Sequence, residues 1–273
     1  MIKLSVLSEN RTFGCFEGEE GLSIVVEYQG KKFLFDTGRS NLFSKIARLM
    51  GVNLDEIKNV VLSHGHMDHT AGLTELHNKT IVMHPSGFKQ RWSKSKKINA
   101  SCPIELDKLL ESNNVNLTMD AVEFLEGCYF LGEIPMVVDF ESQGNFSTTL
   151  DSNYSETDYT EDDSAVAIKT PNGLFILTGC GHRGICNTIE HAIKVTGENR
   201  IWGVLGGLHL RKLDVYKEVI DKTLNYLKER GVKNICLGHC VTDDVIAYFE
   251  RNMAGANIYR LHAGATIELD SKK

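Results

Sequence analysis

The segment Val61-Leu62-Ser63-His64-Gly65-His66-Met67-Asp68-His69 constrains this chain more than any other. Three imidazoles and a carboxylate fall within six positions, directly after the apolar strand candidate Val60-Val61-Leu62. Side chains two apart share a face of an extended strand, and the glycine between His64 and His66 leaves the backbone free to turn. Neutral imidazole and carboxylate are the usual ligands of zinc and its neighbours, so His64 and His66 are spaced to converge on one divalent ion. Asp68 and His69, at the start of the next helix, are spaced to face a second ion. Ten histidines in 273 residues make three within six positions rare by accident, which sets aside a polar loop with incidental histidines.

The rest of the chain supplies an α/β scaffold. Ser23-Ile24-Val25-Val26-Glu27-Tyr28 and Lys32-Phe33-Leu34-Phe35-Asp36 read as strands around the turn at Gly30, and Ile81-Val82-Met83 as another. Asn41 to Met50 reads as a helix with Leu42, Ile46 and Leu49 on its buried stripe and Gly51 as its stop. The second half alternates strand and helix. Leu174–Leu177, Ile201–Leu205 and Asn234–Leu237 are strands; Gly184 to Val195, Asp214 to Arg230 and a segment capped by Thr242 are helices. Strand-rich segments followed by helices suggest sheets sandwiched between helix layers. A single domain over 1–273 is expected, with long exposed loops around 85–103 and 141–163. The first loop carries five basic residues between Lys89 and Lys97, the second an acidic run that includes Asp158, Glu161, Asp162 and Asp163.

Composition excludes some partners. A formal charge of −6 disfavours nucleic acid and anionic membrane surfaces, and no run reaches the roughly 18 apolar residues of a membrane helix. Met1 to Leu7 is too short and too alternating for a signal peptide and reads as a first strand. Seven scattered cysteines fit reduced thiols and a cytoplasmic location.

The histidine motif resembles the His-x-His-x-Asp-His signature of the metallo-β-lactamase superfamily, whose fold is an αββα sandwich. Other markers of that superfamily follow in order. Phe33–Gly38 matches its early strand ending in a structural aspartate. Phe175-Ile176-Leu177-Thr178-Gly179-Cys180 stands where the family has a strand and a bridging aspartate, and Leu237-Gly238-His239 where its last histidine ligand follows a strand. Gly21-Leu22-Ser23, Gly181-His182, Gly206-Gly207-Leu208-His209-Leu210 and Gly238-His239-Cys240 resemble the branch named for a dihydropterin–aminobenzene ribofuranosyl-phosphate synthase.

The resemblance implies a two-metal centre with His64, His66, Asp68, His69 and His239 as ligands, and Asp36 orienting a ligand histidine. It departs from the family at two positions. Cys180 replaces the bridging aspartate, as a softer ligand or as a plain buried thiol. The middle histidine ligand is missing, and Glu133, in the loop after Tyr129-Phe130, is the candidate replacement. His182 and His209 follow glycine-rich strand ends; they are candidate catalytic residues beside Asp68, contacting substrate, or else satisfied core histidines. His77, His84, His191 and His262 sit outside any motif, and Cys240 reads as structural. The implied cofactors are two divalent ions, zinc first and iron or manganese as alternatives. The implied activity is hydrolysis of a small anionic substrate, a phosphoester or another ester, by a hydroxide held between the ions. The alternatives are a pterin-condensing transferase and a non-hydrolytic metal or redox sensor using Cys180 and Cys240. Lactam cleavage is disfavoured by the changed ligands, and nuclease action by the acidic charge.

Overall fold

The computed structural model describes residues 1–141 and 148–270. Two compact units make up the fold: one from residues 1–119, 148–162 and 262–270, the other from 120–141 and 163–261.

The first unit is centred on a seven-stranded sheet in the order Thr266–Leu269, Ile2–Ser8, Ser23–Tyr28, Lys31–Phe35, Asn59–Val61, Thr80–Met83, Asn114–Leu117. The first four strands are antiparallel neighbours; from Lys31–Phe35 onward the pairing is parallel. That switch sends the C-terminal ends of Lys31–Phe35 and Asn59–Val61 to the same edge, where Asp36 and the histidine motif begin. The helix Leu42–Leu49 covers one sheet face, with Leu42, Phe43, Ile46 and Ala47 packed among Leu34, Val60, Leu62 and Ile81. Leu49 departs from the expected stripe and is 74% exposed, because Phe43 and Ala47 complete the apolar arc instead.

The second unit repeats the logic in mirrored order: Asn257–Arg260, Asn234–Leu237, Ile201–Gly206, Gly173–Thr178, Ala165–Thr170, Cys128–Phe130, Val122–Leu125. The first four are parallel and the remainder antiparallel. Three helices, Ile185–Thr196, Leu213–Glu229 and Asp243–Asn252, bury Ile189, Leu224, Leu227, Val245 and Phe249 against Ile176, Val204 and Ile235. Gly173–Thr178 and Ile201–Gly206 are buried along their whole length, which explains their near-continuous apolar sequence. Val215 lies outside this core at 61% exposed.

The loops expected to be exposed are anchored by buried charge. Arg91, in the basic run, is 1% exposed, and Asp158, Asp162 and Asp163 of the acidic run are also buried. Arg91 Nε donates to Asp158 Oδ2 at 2.8 Å and its Nη2 to Asp162 Oδ1 at 2.6 Å, so opposite charges 67 and 71 positions apart satisfy each other inside the first unit. The part of the acidic loop at 142–147 lies outside the described residues.

Candidate metal centre

Two clusters of ligand-type side chains form at strand ends, one in each unit. In the first unit, Asp36 follows the strand Lys31–Phe35 with a left-handed backbone, φ +56°, a conformation that costs a non-glycine residue energy. The turn aims its carboxylate at the next strand end. Asp36 Oδ1 accepts the Ser63 amide at 2.7 Å, and Oδ2 accepts both the Ser63 hydroxyl at 2.7 Å and His69 Nδ1–H at 2.7 Å. Asp36 therefore contacts His69 directly and His64 through Ser63.

Those bonds determine tautomers. The Ser63 hydroxyl hydrogen is committed to Asp36, so its oxygen accepts at 2.8 Å from His64 Nδ1–H, and His64 Nε2 carries a lone pair. The Thr148 hydroxyl hydrogen is committed at 3.0 Å to Asp158, so its oxygen accepts at 3.3 Å from His66 Nε2–H, and His66 Nδ1 carries a lone pair. His64 Nε2 and His66 Nδ1 then face each other at 2.9 Å. A proton or a metal ion between the two nitrogens relieves the repulsion of facing lone pairs, and about 3 Å is also the spacing of two nitrogens that share one zinc-sized ion. The same reasoning leaves His69 Nε2 as an acceptor, 3.9 Å from the partly buried Asp68 carboxylate. The His64 ring lies 4.5 Å from the His66 ring and 4.3 Å from the His69 ring. The donor set therefore fits divalent metal.

In the second unit, glycines allow three strand ends to crowd together. A Cβ at Gly206 would meet Thr178 O at 1.9 Å, and one at Gly207 would meet Cys240 Sγ at 2.5 Å. The Thr178 hydroxyl donates to Gly207 O at 2.8 Å, tying the first two ends together. Cys180 Sγ consequently lies 3.1 Å from His239 Nε2, and Cys180, His239 and Cys240 present their ligand atoms within 4.8 Å of one another. His209 and His239 both hold left-handed backbones, φ +50° and +53°. The Cys240 thiol accepts the His209 amide at 3.3 Å and donates to Cys180 O at 3.4 Å, which ties the three strand ends together.

His182 and His209 are buried with ring centroids 4.5 Å apart. They line a cavity of about 380 Å³ with Phe140, Leu208, Tyr216 and Val219. Glu141 closes one side: its carboxylate accepts the Cys186 and Asn187 amides at 3.0 and 2.8 Å, capping the helix Ile185–Thr196. Burial pushes the Glu141 carboxyl above its ordinary range, against the pull of those amides.

Glu133, the candidate replacement ligand, joins none of the metal-type groups among the described residues. It follows Gly132, whose φ of +67° turns the chain immediately after the strand Cys128–Phe130. His84 Nδ1 accepts the Ser86 amide and His191 Nε2 meets Leu131 O at 2.9 Å, so both have the structural roles expected. Sequence reasoning missed Thr148, Asp158, Arg91 and Asp162, the residues behind His66. A buried arginine within a basic run leaves no local signal.

Known proteins give the same picture. A family model described as the metallo-β-lactamase superfamily matches residues 17–85. The 7,8-dihydropterin-6-methyl-4-(β-D-ribofuranosyl)-aminobenzene-5′-phosphate synthase of Methanocaldococcus jannaschii is 32% identical over 274 residues, spanning 93% of this chain and 91% of that protein. A crystal structure of a metal-dependent hydrolase of the β-lactamase superfamily superposes with a TM-score of 0.84 at 29% identity, covering 99% of this chain and 100% of that one. The metallo-β-lactamase fold protein YhfI of Bacillus subtilis matches with a TM-score of 0.58 at 15% identity, over 98% of this chain and 100% of that one, a likeness of fold alone. This chain belongs to the metallo-β-lactamase superfamily, in the branch that includes the M. jannaschii synthase.

Proposed function

We propose that this enzyme is a metal-dependent hydrolase of a small anionic substrate, a phosphoester before other esters. The observation that carries the reading is the pair of lone-pair nitrogens, His64 Nε2 and His66 Nδ1, held 2.9 Å apart by hydrogen bonds on their far sides. The residues assigned as ligands of two divalent ions are His64, His66, Asp68, His69, Cys180 and His239. Glu133 is left out of this set. Imidazole, carboxylate and one thiolate suit zinc first, with iron or manganese next. Such a pair of ions, when bound, would supply Lewis acidity and a nucleophilic water at neutral pH.

The chain's own groups do the rest. Asp36 keeps His69 Nδ1 protonated and fixes its ring. In this reading His182 and His209, which line the 380 Å³ cavity, donate to substrate oxygens and pass a proton to the leaving group. Phe140, Leu208 and Val219 shelter the organic part of the substrate and exclude water from the ester.

A second reading is favoured by the 32% identity, over nearly the whole chain, to a synthase. In it, an aromatic nucleophile replaces water and a diphosphate leaves the pterin methylene carbon. The test is elemental analysis of the purified protein with a phosphoester panel, followed by a hydroxymethyldihydropterin diphosphate with and without an aromatic amine acceptor. Water-dependent phosphate release with stoichiometric metal supports the hydrolase. Acceptor-dependent diphosphate release supports the synthase. Full activity with retained metal in His66→Ala would reject the ligand assignment.

A further inference from the structure

A ligand histidine must present one particular nitrogen, and in this protein that choice for His66 is made by a buried chain of groups outside the motif. His66 Nε2 lies 3.3 Å from Thr148 Oγ1, which donates at 3.0 Å to Asp158 Oδ2. Asp158 also receives Arg91 Nε at 2.8 Å and, through its other oxygen, the Thr160 amide at 3.0 Å. Arg91 carries the chain onward. Its Nη2 donates to Asp162 Oδ1 at 2.6 Å and to Ser86 O at 3.1 Å, and Asp162 Oδ2 accepts the amide of Gly65 at 2.7 Å. The network thus returns to the histidine motif at the residue between His64 and His66. One end holds the His66 ring and the other holds the backbone that carries it.

We infer that Arg91, Asp158, Asp162 and Thr148 are positioning residues that set His66 in the Nε2–H tautomer and direct Nδ1 to the metal. The reason lies in hydrogen counting. Asp158 accepts only, so the Thr148 hydroxyl must donate to it, and the one lone-pair position left facing His66 requires a hydrogen on Nε2. Arg91 holds both aspartates in place, because a planar guanidinium can bridge two carboxylates with separate N–H groups. A lysine at position 91 would supply charge without the fork.

This inference rests on the metal reading proposed above, but its first test does not. Two-bond ¹⁵N–¹H correlation spectra of metal-free protein report the tautomer of His66 directly, with His66→Gln used to assign its signals. The expected result is a single Nε2–H form. An Nδ1–H form in the wild-type protein would overturn the inference whatever the metal does. Thr148→Val removes the acceptor with little change of volume; it is expected to give mixed tautomers and a metal affinity lower by about 10- to 100-fold, measured by competition with a chelator. Thr148→Ser is expected to restore both, and Arg91→Lys to lose about 10-fold in affinity while remaining folded. A folded Thr148→Val protein with wild-type tautomer and affinity, or a serine variant that fails to rescue, would also overturn it. Loss of metal in His66→Ala beside a normal Thr148→Val would sink this inference alone and leave the metal assignment standing.

Discussion

Asp36 Oδ2 lies 2.7 Å from His69 Nδ1, and the same oxygen takes the Ser63 hydroxyl that in turn holds His64. One carboxylate therefore controls two ligand-type histidines, one directly and one through a serine. Its left-handed backbone, φ +56°, is the strained feature that makes this reach possible.

Asp36→Asn keeps the volume but places an NH₂ where acceptor oxygens are required. Three buried donors then compete for one carbonyl oxygen. The variant should lose about 1–3 kcal/mol of folding stability and bind metal about 10- to 100-fold more weakly. Chemical denaturation and chelator competition on the same sample measure the two losses. Wild-type metal affinity in this variant would show that Asp36 does not orient the histidines.

Gly65 sits where a Cβ would lie 1.9 Å from Gly87 O, a backbone atom that cannot swing aside. Gly65→Ala should cost at least about 1–3 kcal/mol and disturb metal binding, since the Gly65 amide also bonds Asp162. Gly51→Ala is the control. Its site is open, and only the φ of +70° is strained, so about 1–2 kcal/mol should be lost with metal affinity unchanged.

Metal removal should lower the melting temperature. A ligand present at about 1,000 times its dissociation constant stabilises a folded protein by about 4 kcal/mol, and a strong chelator withdraws that contribution. Scanning calorimetry before and after dialysis against chelator, with metal content measured on both samples, checks this. An unchanged transition after complete demetallation would argue against a metal linked to folding.

Lys79 is 5% exposed and donates from Nζ to Leu54 O at 2.6 Å and Ile57 O at 2.9 Å. Lys79→Met fills the space and abandons both carbonyls, which predicts a loss of about 1–3 kcal/mol. Because these bonds lie away from the histidine motif, metal content should stay at the wild-type level. Equilibrium urea unfolding with elemental analysis is the check.

What could be read from the chain without coordinates was local. The cluster from His64 to His69 is contiguous, so strand alternation and one glycine suffice to bring its side chains together. Strands such as Gly173–Thr178 and Ile201–Gly206, and helix stops such as Gly51 and Gly231, announce themselves through apolar runs and left-handed glycines. The order of the strand-end motifs was enough for the superfamily. Tertiary structure decided whatever depends on residues far apart in the chain. The pairing of Arg91 with Asp158 and Asp162 spans about seventy positions, and charged residues inside charged runs ordinarily face solvent, so nothing nearby distinguishes these three. The stripe that should have included Leu49 was settled by which side of the helix met the sheet, and Leu49 lost to Phe43 and Ala47. The partner of His66 Nε2 is a threonine 82 residues away, and because a tautomer is chosen by such a far-side hydrogen bond, only folding could supply it.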